Sequence, residues 1–207
     1  MGVPFQLLVI TDQQPAMLAR VEAALAVELA PRVAVLLRDK QANSRQMLDT
    51  ALALRALTQA RGARLIVSDR LAVALLSEAD GVHLPEVGFT VHQARSCLGA
   101  SRLIGVSRHD AHGIVAAQQA GADYATLSPV FATPDKGTPL GMANFAHIAR
   151  ACRLPVFALG GVTTRRVPEL IRAGAAGVAV IREVMSATDP GLAVTELLRA
   201  VGPTDPH

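Results

Sequence analysis

At 207 residues, 51% hydrophobic and 18% charged, the chain has the size of one domain and ample apolar material for a core, which excludes a largely disordered protein. Its net charge of +3 is spread along the sequence rather than gathered in a basic run, which argues against a nucleic-acid partner. No apolar run is long enough to span a bilayer, and the opening MGVPFQLLVITD lacks the basic flank of a signal peptide, so a cytoplasmic protein without membrane contact is expected. With 3% aromatic residues and no Trp, the core is expected to be aliphatic, with Cys97 and Cys152 as buried free thiols.

Short runs rich in Val, Ile and Leu alternate with longer helical patterns along the whole chain, the rhythm of a parallel sheet covered by helices. Strands are predicted at Gln6-Thr11, Val33-Arg38, Arg64-Ser68, Gly81-Leu84, Leu103-Val106, Tyr124-Leu127, Val156-Ala158 and Gly177-Val180. Helices are predicted at Ala16-Leu29, Ser44-Ala60, Leu71-Leu76, His112-Ala120, Phe145-Ala151 and Val167-Arg172. Gly62, Gly121 and Gly174 follow helices at the position where φ is often positive. The phrases ending in Asp80-Gly81-Val82, Asp123-Tyr124 and Ala176-Gly177-Val178 each join a helix to a strand and read as a weak internal βα repeat.

Eight such units predict one α/β domain, a single (β/α)8 TIM barrel over residues 1–207 with a disordered tail after about residue 201. An open doubly wound sheet is the alternative, weakened because no GxGxxG follows the first strand. In a barrel the chemistry sits beyond the C-terminal ends of the strands, and the polar residues concentrate there.

Five groups of residues are candidates. Arg38 and Lys40, after the second strand, can clamp an anion or be solvated surface charge. Asp69 can bind Mg2+ through a hard oxygen or cap the helix beginning at Leu71. His83 and His109, at the ends of strands four and five, can move protons or serve structure. The long loop Ser128–Gly141 offers Thr133 as a hydroxyl donor to phosphate and Lys136 as a point charge, unless it is a plain surface loop. Gly160 and Gly161 end strand seven, and Val180 and Ile181 end strand eight, where barrels often hold phosphate; a tight turn would also call for the glycines.

The phrases LLVITD, LLRDK, LIVSDR, ADGVHL, LIGVSRH, AGADYATLSPVFATPDK, LPVFALGGV and GAAGVAVIREV, in this order, resemble the thiamine-phosphate synthase and TenI superfamily up to about Met185. The resemblance implies a barrel that binds thiazole phosphate or thiamine phosphate. In synthases it implies joining hydroxymethylpyrimidine diphosphate to thiazole phosphate, with Mg2+ helping diphosphate leave. It further implies that Arg38, Lys40 and Lys136 contact diphosphate, that Asp69 ligates Mg2+, and that Ser107 lies on the pyrimidine side. Thr133, Gly161, Ile181 and Arg182 would hold phosphate.

Departures from the synthase pattern fall at Leu36, Ser68, Asp135, Arg182 and above all Gly88, where a second Mg2+ ligand is expected; Mg2+ binding is therefore expected to be weakened. The segment His83-Leu84-Pro85-Glu86 is instead like the TenI branch, which tautomerises a thiazole carboxylate phosphate, although Pro129 stands at that branch's catalytic His. Glu86, His83 or His109 would then have to act as base. The TenI-like branch is the favoured reading, with a functional synthase and a non-catalytic phosphate-ligand sensor as alternatives. Apolar helix faces make a homodimer an expectation.

Overall fold

In the computed structural model, which describes residues 3–134 and 137–203, eight parallel strands close into a barrel in sequence order, the last pairing with the first. They are β1 (Leu7–Ile10), β2 (Val33–Leu37), β3 (Arg64–Ser68), β4 (Gly81–Leu84), β5 (Leu103–Arg108), β6 (Tyr124–Leu127), β7 (Val156–Leu159) and β8 (Gly177–Val180). The helices are α1 (Met17–Leu25), α2 (Ser44–Ala60), α3 (Leu71–Leu76), α4 (Val91–Leu98), α5 (Ala111–Gln119), α6 (Gly141–Ala151), α7 (Val167–Arg172), α8 (Arg182–Met185) and α9 (Pro190–Val201). The open-sheet alternative is thereby excluded. No helix among the described residues is long and apolar enough to cross a membrane.

Most predicted elements fall within a residue of the observed ones; α6 starts at Gly141, four residues before the predicted Phe145, and further departures stand out. The helix expected over Ala16-Leu29 spans Met17–Leu25, and after a turn a 3-10 helix with Pro31 in its first turn, Ala30–Arg32, leads into β2. β5 runs two residues further than predicted, held by the register Ser107↔Thr126 and Arg108↔Leu127. α4 and α9 were not among the predicted helices, yet both carry start signals: Thr90 and Gln93 form a capping box, and Asp189 accepts from Leu192 N–H with Pro190 following.

Alternation along the strands divides the core in two. One face of each strand packs outward against the helices, as with Val9, Val35, Val67, Val106, Leu127, Ala158 and Val180. The other face fills the barrel with Phe5, Leu8, Ile10, Ala34, Leu36, Ile66, Tyr124, Phe157 and Ala179. The expectation of an aliphatic core holds for the outer layer and fails for the inner one. Phe5, Tyr124 and Phe157 pack edge-on and tilted with centroids 5.2 to 5.6 Å apart. Eight strands enclose more volume than Ala and Val would fill, so large rings from three positions meet small residues opposite. A Cβ on Gly105 would lie 2.1 Å from the Tyr124 ring. The thiols also depart from expectation: Cys97 is exposed on α4, and Cys152 is only half-buried.

Candidate functional site at the barrel mouth

Inward parity decides which side chains reach the mouth. On β2 it runs Ala34, Leu36, Arg38; on β3, Ile66, Ser68; on β4, Gly81, His83; on β5, Gly105, Ser107; on β6, Tyr124, Thr126; on β8, Ala179, Ile181. Arg38 is half-buried and its N–H donates to Thr11 Oγ1 at 3.0 Å. Asp39 then turns the chain, its carboxylate accepting from Gln41 N–H, Ala42 N–H and the Gln13 amide at 2.8 to 3.0 Å, which leaves Lys40 exposed.

Below the cations lies a buried polar layer. His83, 4% exposed, has Nε2 2.9 Å from Ser107 Oγ and 3.3 Å from Thr126 Oγ1, and Nδ1 3.2 Å from the Tyr124 hydroxyl. Burial, with the nearby charges of Arg108 and Arg38, depresses its pKa from 6.5 to about 3, so the imidazole is neutral. Burial also pushes the Tyr124 phenol well above its ordinary range. His109 sits higher, on the rim. Its Nδ1–H donates to the Ser128 carbonyl at 2.6 Å, and its Nε2 faces the Glu86 carboxylate at 3.7 Å.

Asp69 tops β3 with φ +63°, a left-handed backbone that Asp tolerates better than most residues, and its N–H donates to the His83 carbonyl at 3.1 Å. The capping alternative fails, because Arg70 occupies the cap position of α3 and no side chain bonds there. A Cβ on Gly88 would lie 3.1 Å from Asp69 Oδ1, so the loop after β4 passes beside this carboxylate.

The glycine cradle has a double cause. Gly160 and Gly161 have φ +99° and +63°, and Cβ atoms there would meet Pro129 Cα at 2.7 Å and Phe131 Cβ at 2.8 Å. Val130 N–H and Phe131 N–H donate to the Leu159 and Gly160 carbonyls at 2.9 and 3.0 Å. The glycines therefore let the loop after β6 lie directly on the end of β7, which brings Thr133 toward the cradle. Thr133 Oγ1 is buried without a hydrogen-bond partner among the described residues, a free donor of the kind an anion would satisfy. Ile181 caps the four-residue α8 and Arg182 is its exposed first residue, so a short extra helix follows β8, as in many phosphate-binding barrels. Val180 packs its side chain in the outer layer at 3% exposure, so what it offers the cradle is backbone. Lys136 and Asp135 lie outside the described residues.

A family model described as thiamine monophosphate synthase matches residues 7–184. The chain belongs to the thiamine monophosphate synthase family. A Geobacter sulfurreducens protein provisionally named thiamine-phosphate synthase is 43% identical over 97% of this chain and 96% of its own. The Gloeobacter violaceus thiamine-phosphate synthase is 41% identical over 90% of this chain, which spans 54% of that longer relative. Among solved structures, thiamine phosphate pyrophosphorylase from Pyrococcus furiosus superposes with a TM-score of 0.85 at 32% identity, covering 96% of both chains.

Within this barrel the structure brings Arg38, Asp69, His83, Ser107, His109, Gly160, Gly161 and Ile181 to one end, while Lys40 and Arg182 stand exposed at its edge. Sequence reasoning missed four participants. Arg108 bears on His83 electrostatically and donates through Nη1 to the Ser107 carbonyl at 2.6 Å. Tyr124 and Thr126 complete the layer around His83, and the period-two spacing of Tyr124, Thr126 and Ser128 could have marked them. Glu183 accepts from Thr164 N–H at 2.8 Å and Thr164 Oγ1 at 3.0 Å, tying the loop after β7 to α8; nothing local in the sequence signals that contact. Among the described residues, no group of three or more His, Cys, Asp and Glu comes together as a metal cage.

Proposed function

We propose that the protein binds a thiazole phosphate, with its phosphate against the Gly160–Gly161 backbone, Ile181 and Thr133, and joins it to a pyrimidine diphosphate as a thiamine-phosphate synthase. The observation that carries this reading is Asp69, a carboxylate in a left-handed backbone at the mouth that caps no helix. Mg2+ commonly binds through one carboxylate with substrate phosphates and water completing its octahedron, and Asp69 alone fits that role. Bound there, Mg2+ would neutralise charge on the departing diphosphate.

The chain's own residues supply the rest. Arg38, with Lys40 at its edge, collects diphosphate oxygens; Ser107 orients the pyrimidine; the cradle aligns the thiazole nitrogen for attack. The names of the full-length relatives favour the same reaction. The tautomerase reading needs a general base and is the weaker one on this geometry. Pro129 has no basic atom, and His83 is neutral with both nitrogens engaged. His109, oriented by the Ser128 carbonyl and facing Glu86, is the group that keeps this second reading alive.

Purified protein given thiazole phosphate, hydroxymethylpyrimidine diphosphate and Mg2+ is expected to form thiamine phosphate and to stop when Mg2+ is chelated. Asp69→Asn is expected to lower kcat roughly a hundredfold or more while thiazole phosphate still binds. Turnover of the thiazole carboxylate tautomer with no thiamine phosphate formed would replace the synthase by the tautomerase. Tight thiazole phosphate binding with neither reaction would leave a sensor.

A further inference from the structure

The layer beneath the mouth contains a directional question that the synthase reading leaves open: which way the hydrogen bonds run through His83. A neutral imidazole has one N–H and one acceptor nitrogen. The Tyr124 hydroxyl is fully buried among Phe5, Phe157 and the His83 ring, and His83 Nδ1, at 3.2 Å, is its hydrogen-bond partner among the described residues. If Nδ1 carried the proton, the phenol hydrogen would be left buried and unsatisfied, which costs about 1–3 kcal/mol. With Nδ1 as acceptor, Tyr124 O–H donates to it, and the proton sits on Nε2. Nε2–H then donates to Ser107 Oγ at 2.9 Å, with Thr126 Oγ1 a longer second acceptor at 3.3 Å.

Ser107 differs from its partners in that it is only half-buried, on the inner face near the end of β5. Because its oxygen accepts from His83, its own hydrogen is turned away from the layer and toward the open end of the barrel. We infer that His83 is a positioning residue that fixes Ser107 as a hydrogen-bond donor on the floor of the mouth, so that the ligand group seated over Ser107 is an acceptor. The acceptor is a diphosphate oxygen or a pyrimidine ring nitrogen, not an exocyclic amine. The chain Tyr124→His83→Ser107 polarises each successive donor, which strengthens the last one. The depressed pKa of His83 keeps the direction constant near neutrality, since an imidazolium would need acceptors on both sides. Only the identity of the ligand group rests on the proposed synthase site; the direction of the chain does not.

The test has two arms. Nitrogen-15 NMR of the whole protein with labelled histidine is expected to find His83 as the Nε2–H tautomer, unchanged from about pH 5 to 8, and Tyr124→Phe is expected to mix the tautomers. An Nδ1–H tautomer in the unmodified protein would overturn the inference. The second arm measures binding of inorganic pyrophosphate and, separately, of the aminopyrimidine alcohol. Ser107→Ala is expected to weaken one of them roughly tenfold, which identifies whether oxygen or ring nitrogen is the acceptor. His83→Leu should cost a similar factor, His83→Gln should restore much of it through its amide N–H, and the Leu/Ala double variant should be no worse than Ser107→Ala. Losses that simply add, or no loss with either probe, would defeat the positioning role. Absence of turnover in the unmodified protein would count against the synthase reading while leaving the tautomer result standing.

Discussion

His83 is where burial and chemistry meet most closely. Its pKa in the fold is about 3 against an ordinary 6.5, so between those values the unfolded chain binds the extra proton and the native state does not. The contribution to stability is therefore fully present above pH 6.5 and is lost as pH falls toward 3. Denaturant unfolding at pH 7 and pH 4 is expected to lose on the order of 3 kcal/mol more in the unmodified protein than in His83→Gln, which has no such proton to take up. Equal losses in both would place the acid sensitivity elsewhere. Sequence position alone marked His83 as a proton carrier or a structural residue. Three hydroxyls from two neighbouring strands engage both of its nitrogens, and no local pattern announces three partners 24 to 43 residues away.

The residue that precedes β4 and β6 explains the internal repeat. Asp80, just before β4, accepts from Leu65 N–H and Arg55 at 2.8 Å and from Arg64 at 3.2 Å. Asp123, just before β6, accepts from Ile104 N–H and Arg95 at 2.7 Å. Each carboxylate thus satisfies a strand amide and anchors a guanidinium of the helix layer. Before β8 the equivalent residue is Ala176, whose N–H donates to the Val156 carbonyl and which has no side chain to repeat the device. The staple lies at the end of the barrel opposite the mouth. Asp80→Ala should therefore lower stability by about 2–3 kcal/mol, seen as a shifted urea midpoint, with kcat essentially unchanged. A large fall in kcat with an unmoved midpoint would contradict that division of labour between the two ends.

At the scale of the whole barrel, closure depends on matching rings to gaps. Gly81, Gly105 and Gly177 sit on inner positions where a Cβ would come within 2.2 Å of Leu103 O, the Tyr124 ring or Gln6 O. Gly105→Ala is expected to destabilise by about 3 kcal/mol or more, because ring and strand are both held by the closed sheet. Adding Tyr124→Leu should return part of that loss in a thermal or urea melt. If the pair proves no more stable than Gly105→Ala alone, the clash is not with the ring.

The eight-strand rhythm, the glycines closing helices and the chemistry gathered after strand ends follow from apolar period and residue type, and these are properties of short segments. The same holds for Arg38, Asp69 and the Gly160-Gly161 pair, which announce themselves by their place after strands. The tertiary structure decided what depends on distant partners. It made Gly161 the seat of the loop after β6, released Asp69 from any capping role and enclosed His83 in a hydroxyl cage. The physical reason is that strand parity is local, whereas burial and hydrogen-bond direction exist only once the first strand has met the eighth.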